Sequence, residues 1–342
     1  LQKKGGDNTH KNERVTIKDV AERAGVSLST ASLVLNGKGG VSDITKEKIL
    51  KATKELSYRP NHAARSLRAS NTKMIGLLIP DILNSFYSEI IEYVRGEIER
   101  QGYFLILGIT GNKSENEEKY ISEFVYRGVD GVICVPQLTY VQNTSYINLL
   151  DDYNIPYIFL ADNYEKNESP YVMCDLYKGN FDMADYLLQL GMRKLFLLVG
   201  DKRVDMPYIQ GYRDAFKKNK LHPDDSCIYE TAYEFESIQS VAEVMIRENP
   251  EAIMTISDWM ACATMQEAIK HGIKIPSELS VTGYDDVIYS RINQTPITTV
   301  RQPIQEMCTI AVRGLMSMIR SSIKPEPIIL EPELVIREST KS

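Results

Sequence analysis

The sequence predicts an α/β protein: a small helical N-terminal helix-turn-helix head followed by two doubly wound α/β lobes. Three observations predict it. Residues 16–36 read as two short helices around a tight turn. From Lys73 onward, short apolar runs alternate with amphipathic stretches, the pattern of parallel sheets joined by right-handed helical crossovers. That pattern fills residues 73–342, which suits two lobes better than one barrel.

Residues 1–13 are polar, lack periodicity and are expected to be disordered. The head is expected over 14–60. Ile17, Val20, Ala21 and Ala24 recur at i, i+3, i+4, i+7, the spacing of one buried helix face. Gly25 can take a positive φ and end that helix. Ser27 or Ser29 can cap the next, whose inner face is Ala31, Val34 and Leu35. A third helix follows Ser42 as N-cap, with Thr45, Ile49, Ala52 and Leu56 on one face. It ends at Tyr58-Arg59-Pro60, because the residue before proline is pushed out of the α region. Residues 61–72 form an Ala-rich linker, too short for a stable isolated helix and expected to order only when something packs on it.

In the remainder, strands are expected at Met74–Ile79, Phe104–Ile109, Val132–Val135, Tyr157–Leu160, Leu195–Val199, Ala252–Ile256 and Ser280–Gly283. Helices are expected at Phe86–Gln101, Asn116–Arg127, Asn180–Leu190 and Ala261–His271. Ligands of open α/β sheets bind beyond the carboxyl ends of the strands, so two facing lobes make a cleft that can open and close.

The net charge of −6 hides an asymmetry. Residues 1–72 hold 14 Lys and Arg against 7 Asp and Glu, a net of +7, so the rest carries −13. A basic head on an acidic body suits phosphate binding by the head alone. The five cysteines are scattered, without a CxxC or a Cys/His cluster, and read as buried thiols; no metal or cofactor is expected. No apolar run approaches the roughly 18 residues of a membrane span, and no export signal opens the sequence, so a cytoplasmic location is expected. The four histidines (His10, His62, His222, His271) are dispersed and no Gly-rich phosphate loop occurs, so enzyme chemistry has no support.

These residues resemble the LacI/GalR family of bacterial transcription regulators from Val15 to Glu338. The landmarks are TIKDVAERAGVS, VLNG at 34–37, YRPNHAARSLR at 58–68, MIGLLIPD at 74–81, GVDGVI at 128–133, the Asp175…Gly179 pair, GYRDAF at 211–216, SVTGYDD at 280–286 and TTVRQP at 298–303. The resemblance implies a headpiece, a hinge helix and a core of periplasmic-binding-protein type. That core takes an effector and forms a homodimer on pseudo-palindromic operator DNA. Its N-subdomain is expected at about 73–161 plus 293–322 and its C-subdomain at about 162–292 plus 323–338, the chain crossing three times. A repressor is expected, with a carbohydrate effector. The alternative is control by a protein corepressor; an exported solute-binding protein would carry no such head.

The resemblance assigns DNA contacts to Thr16, Ser27, Leu28, Ser29, Thr30, Ser32, Leu33, Asn36, Tyr58, Asn61, Arg65, Leu67 and Arg68. Leu33 stands where the family usually has Arg, the commonest reader of guanine, so an altered operator is expected. Alternatively, Leu28 staples its helix and Leu33 packs on a neighbour. Leu67 matches the wedge that family members insert into the minor groove; the plainer reading is a residue that covers the core. Effector contacts fall to Asp81, Asn84, Phe86, Tyr87, Tyr208, Ser257, Trp259, Asp285 and Gln302. Tyr208 and Ser257 replace a usual Arg and Asn. Asp285 could instead cap a turn, and the aromatics could be ordinary packing. Stacking rings would suit a di- or oligosaccharide.

Overall fold

The computed structural model describes residues 15–35, 40–56, 58, 71–136, 145–162 and 169–341. The chain divides into two compact units, residues 1–72 and 73–342.

The first unit contains α1 (Ile17–Ala24), α2 (Leu28–Leu35) and α3 (Asp43–Glu55). The Thr16 N–H and hydroxyl both donate to Asp19 Oδ2, at 2.7 and 2.8 Å, which anchors the start of α1. Gly25 ends α1 at φ +67°, where a side chain would be strained. Ser42 accepts from the Thr45 N–H and opens α3. Val20, Ile49 and Ala52 form the centre, with Ala24, Val26, Val34, Leu35, Leu56 and Tyr58 packed around it.

The second unit holds two six-stranded sheets. One contains β1 (Met74–Ile79), β2 (Phe104–Ile109), β3 (Gly131–Cys134), β4 (Tyr157–Leu160), β5 (Tyr171–Cys174) and β11 (Ile328–Leu330), in the order β11-β5-β4-β3-β1-β2. All its pairings are parallel. Helices α4 (Ser85–Arg100) and α12 (Ile304–Ser321) bury Ile90, Val94, Met307, Cys308 and Leu315 on one face of it. Helices α5 (Ser114–Arg127) and α6 (Ser145–Asp152) bury Ile121, Phe124, Ile147 and Leu150 on the other.

The second sheet contains β6 (Leu195–Val199), β7 (Ile228–Glu230), β8 (Ala252–Thr255), β9 (Ser280–Asp285), β10 (Thr298–Arg301) and β12 (Glu333–Val335). Its order is β12-β10-β9-β8-β6-β7, and only β12 is antiparallel to its neighbour. Its helices are α7 (Leu176–Gln189), α8 (Met206–Lys218), α9 (Phe235–Arg247) and α10 (Asp258–Lys270); a short turn of helix, α11 (Tyr289–Ile292), follows β9.

Strand pairing corrects the subdomain boundaries expected from sequence. Tyr171–Cys174 pairs with Tyr157–Leu160 and with Ile328–Leu330, so it belongs to the first lobe. Thr298–Arg301 lies in register with β9, Thr298 opposite Thr282, so it belongs to the second. The chain therefore crosses near 175, 302 and 331 rather than near 161, 292 and 322. Crossings are set by these non-local pairings, which leave no local composition signal. The Asp175 N–H donates to the Leu330 carbonyl at 2.9 Å, tying the first crossing to the third. Val287, just past β9, is buried in the core of the first lobe and couples the two further.

Among the described residues, no helix is long and apolar enough to cross a membrane. None of their His, Cys, Asp and Glu side chains gather in threes that could hold a metal ion. All five cysteines are free thiols, and all but Cys227 are buried.

Candidate functional site

The head presents a small hydroxyl cluster at the start of α2. Ser27 Oγ accepts from the Thr30 N–H at 3.1 Å and lies 2.8 Å from Ser29 Oγ and 2.7 Å from Thr30 Oγ1. Ser27, rather than Ser29, is thus the cap. Leu28 and Leu33 are 47% and 40% exposed, and neither joins the head's core. Tyr58 does pack on that core. The α2 sequence LSTASLVL carries no charge. Its outer face offers hydroxyls, which bond phosphate or base edges, and methyl-bearing chains, which suit thymine. Cations come from elsewhere, since Lys18 on α1 and Lys46, Lys48, Lys51 and Lys54 on α3 are all exposed. Asn36, Asn61, Arg65, Leu67 and Arg68 lie outside the described residues.

In the second unit, the GYDD segment ends β9 at the meeting of the lobes, and each of its residues has a distinct task. Gly283 leaves room for the buried Asp258, because a Cβ there would stand 2.2 Å from Asp258 Oδ1. Asp258 Oδ1 accepts from Thr299 Oγ1 at 2.6 Å, and Oδ2 accepts from the Val287 N–H at 2.8 Å. Asp286 accepts from Ser290 Oγ (2.7 Å), Arg301 Nε (2.8 Å) and Arg337 (2.5 Å), so it is the structural carboxylate of the turn. Asp285 is 6% exposed at φ +103°, and Gln302 Nε2 donates to its Oδ1 at 2.8 Å.

Burial dominates the electrostatics. It pushes Asp258 up to about 8 and Asp205 to about 6. It also holds Asp285 well above the usual carboxylate range, with the charge of Asp258 adding to the effect. Asp205 accepts from the Gly200 and Asp201 N–H groups, at 2.8 and 2.9 Å.

The raised value at Asp258 makes stability depend on pH. Its unfolded value is 3.8. Below that pH both states are protonated and the group costs nothing. As pH rises toward 8, only the unfolded chain releases the proton, so stability falls, and the loss is complete above 8. Asp258→Asn can accept from Val287 N–H and donate to Thr299. The variant is therefore expected to lose less stability than the parent between pH 6 and 8, the Asp285 contribution remaining, and to be the more stable protein at pH 8. The Asp205 contribution, of the same sign, remains and ends near pH 6. Parallel melting curves for the two proteins would contradict the assignment.

Aromatic rings surround these carboxyls. Phe86 and Tyr87 meet edge to face at 5.4 Å, as do Tyr208 and Tyr284 at 5.0 Å. Trp259 lies between Phe235 (5.0 Å) and Tyr289 (5.3 Å), and its Nε1 donates to the Tyr233 carbonyl. Tyr233 lies against Gly200. Burial raises the Tyr87 hydroxyl, and the charges of Asp285, Asp162, Asp81 and Asp205 raise it further. Asp285 and Asp205 act likewise on Tyr208 and Tyr233. Asp81 and Tyr87 of the first lobe thus converge with Asp205, Tyr208, Tyr233 and Asp285 of the second.

Three residues expected at the ligand are used by the fold itself. Asn84 caps α4 by accepting from the Phe86 N–H, and Ser257 caps α10 by accepting from the Met260 N–H. Asp81 Oδ1 accepts from the Leu83 N–H at 2.9 Å. Sequence reasoning missed Asp205, Tyr233, Phe235 and Tyr289. Asp205 had a readable signal, an acid two residues before Pro207 at a helix start. The three rings sit in or beside loops, where no periodicity marks them.

Residues 16–61 match the family described as bacterial regulatory proteins, lacI family, and residues 184–340 match the periplasmic binding protein-like domain. The HTH-type transcriptional regulator DegA of Bacillus subtilis (strain 168) is 33% identical over 331 residues, covering 96% of this chain and 98% of its own. The HTH-type transcriptional repressor PurR of Vibrio atlanticus (strain LGP32) is 33% identical over 334 residues, covering 96% and 99%. Among solved structures, a complex of the transcriptional regulator CelR with cellobiose has a TM-score of 0.72 at 26% identity, covering 95% of this chain and all of that one. A lac repressor dimer bound to operator and an anti-inducer shares the fold, at TM-score 0.85 and 24% identity, covering 96% and 100%. The helix-turn-helix head, the two-lobed core and relatives matched along almost their whole length lead to one conclusion: the chain belongs to the LacI family of bacterial regulatory proteins and is a DNA-binding transcription regulator rather than an enzyme.

Proposed function

We propose that this regulator represses by holding a pseudo-palindromic operator as a homodimer in the cytoplasm, and that a saccharide in the cleft between the lobes sets its DNA affinity. The observation that carries the effector reading is the convergence of Asp81 and Tyr87 of the first lobe with Tyr208 and the buried Asp205 and Asp285 of the second. A carboxylate accepts from two hydroxyls at once, and aromatic faces stack on sugar rings. The cellobiose in the similar CelR complex supports the same class. A ligand touching both lobes shifts the population only by its differential affinity for their open and closed arrangements.

Trp259, the sole tryptophan, reports on the site. Titration with cellobiose and related oligosaccharides is expected to change its fluorescence, with matching heat in calorimetry. A silent titration across such a set, with no heat, removes the saccharide reading.

On the DNA side, Thr16, Ser27, Ser29, Thr30 and Ser32 serve phosphates and base edges, and Leu28 and Leu33 serve thymine methyls. Asn36, Tyr58 and Asn61 hold the register, and Arg65 and Arg68 lie near phosphates. Leu67 enters the minor groove. Leu67→Ala is expected to abolish operator bending, read by gel mobility or energy transfer, while sparing nonspecific binding. Equal loss of both contradicts the wedge.

A further inference from the structure

Among the described residues, acidic groups gather at the cleft. The leading charges bearing on the Tyr87 hydroxyl are carboxylates, and Asp205 and Asp285 also bear on Tyr233. Nearby guanidinium groups are committed elsewhere. Arg203 pairs with Asp201 at 2.6 Å, Arg301 divides itself between Asp286 (2.8 Å) and Glu333 (2.7 Å), and Arg291 donates to the Asp286 carbonyl.

A second, independent observation points to what is missing. Gln302 is 6% exposed, and its Oε1 is buried with no hydrogen-bond partner. Its Nε2 is turned to Asp285. A buried acceptor without a donor costs free energy comparable to a lost hydrogen bond. Asp285 and Gln302 Oε1 side by side therefore call for a group rich in donors. A hydroxyl brings one; an ammonium brings three and the charge as well.

We propose that the effector is an aminated saccharide, whose protonated amine is held by Asp285 and Gln302 while its ring lies on the cleft aromatics. This rests on the saccharide reading above and narrows it. A tyrosine ring such as that of Tyr87 or Tyr208 attracts the same cation when it lies over the ring face. Burial keeps the Asp285 carboxyl reluctant to ionise, and an ammonium beside it reverses that, so uptake of the amine drives a proton off the protein. The groups facing Asp285 are Asp258 and Glu89, which oppose ionisation, and Gln302, which favours it. Arg291, Arg301 and Arg313 line a groove of about 610 Å³ that also touches Asp285 and Gln302. An anionic ligand would seek its partner there.

The test is calorimetry on the full chain with four probes: the β-1,4-linked disaccharide of glucosamine, its N-acetylated form, cellobiose and glucose 6-phosphate. The amine is expected to bind at least about tenfold more tightly than the two neutral disaccharides at pH 7. Asp285→Asn is expected to erase that preference; Asn tolerates a positive φ, so the turn survives. On the unmodified chain, repeating the titration in buffers of different ionisation enthalpy is expected to show proton release for the amine alone. Equal or tighter binding of the neutral sugars overturns the proposal and leaves the saccharide reading standing. Tightest binding of the phosphate overturns it in favour of the groove. Binding of none of the four overturns both readings.

Discussion

Replacing Gly211 by alanine is expected to destabilise the second unit by about 3 kcal/mol, at the upper end of what overpacking a close contact costs. Gly211 is where α8 crosses α7. A Cβ there would stand 2.4 Å from the Tyr177 carbonyl oxygen and 2.8 Å from the Phe181 nitrogen. Both are backbone atoms of a helix, so neither can rotate away. The crossing is fastened by Asn180, whose Nδ2 donates to the Tyr208 carbonyl at 2.6 Å. Pushing the helices apart thus also shifts Tyr208, three residues upstream, and should weaken ligand binding. The same substitution at Gly96 has the opposite sign. A Cβ there meets only Arg100 Nη2 at 3.7 Å, an ordinary contact, in the middle of α4. Removing a glycine from a helix interior is worth roughly 0.5–1 kcal/mol. Chemical or thermal unfolding of the two variants beside the parent should bracket it from both sides. Similar stabilities for the two would refute the close-crossing argument.

Raising salt from 50 to 200 mM is expected to weaken DNA binding by about a thousandfold or more. A chain of net charge −6 binds a polyanion only through its asymmetry, +7 in residues 1–72 against −13 in the rest. The uncharged α2 contributes none of this attraction. It rests on the cations of the head, among them the exposed lysines of α1 and α3, each releasing about one counterion on contact with phosphate. Changing one such residue, Lys48→Gln, should lower the slope of log affinity against log salt by about one while leaving sequence preference intact. Fluorescence anisotropy with operator and random duplexes reads both. A flat salt dependence would mean that the head does not work by phosphate contact.

Most of the strands were legible because they are apolar runs bounded by turn residues, as in Met74–Ile79 and Leu195–Val199. The edge strands Ile328–Leu330 and Glu333–Val335 were not. Each is three residues long and partly exposed, with no alternation to read. Tyr171–Cys174 and Thr298–Arg301 were present as words in the sequence, but their sheet depends on partners far along the chain. The site divides in the same way. Asp285 and Gln302 were singled out through motif resemblance, and their side chains hydrogen-bond to each other. Asn84 and Ser257 carry the right chemistry for a ligand, yet both sit one residue before a helix. There the local N–H groups claim a side-chain oxygen first. Tyr233 and Phe235 became neighbours of Trp259 only through tertiary packing.

The lobe crossings bear on how the protein is made. Helix α12 and strand β11, which complete the first lobe's core and its sheet edge, lie at residues 304–330. The second lobe closes only with Glu333–Val335. During translation neither half can finish folding until nearly the whole polypeptide has left the ribosome. Nascent chains truncated before residue 300 should expose the apolar face that α12 covers, and so should engage chaperones. The core of the head, formed among the described residues by side chains between Val20 and Tyr58, is under no such delay.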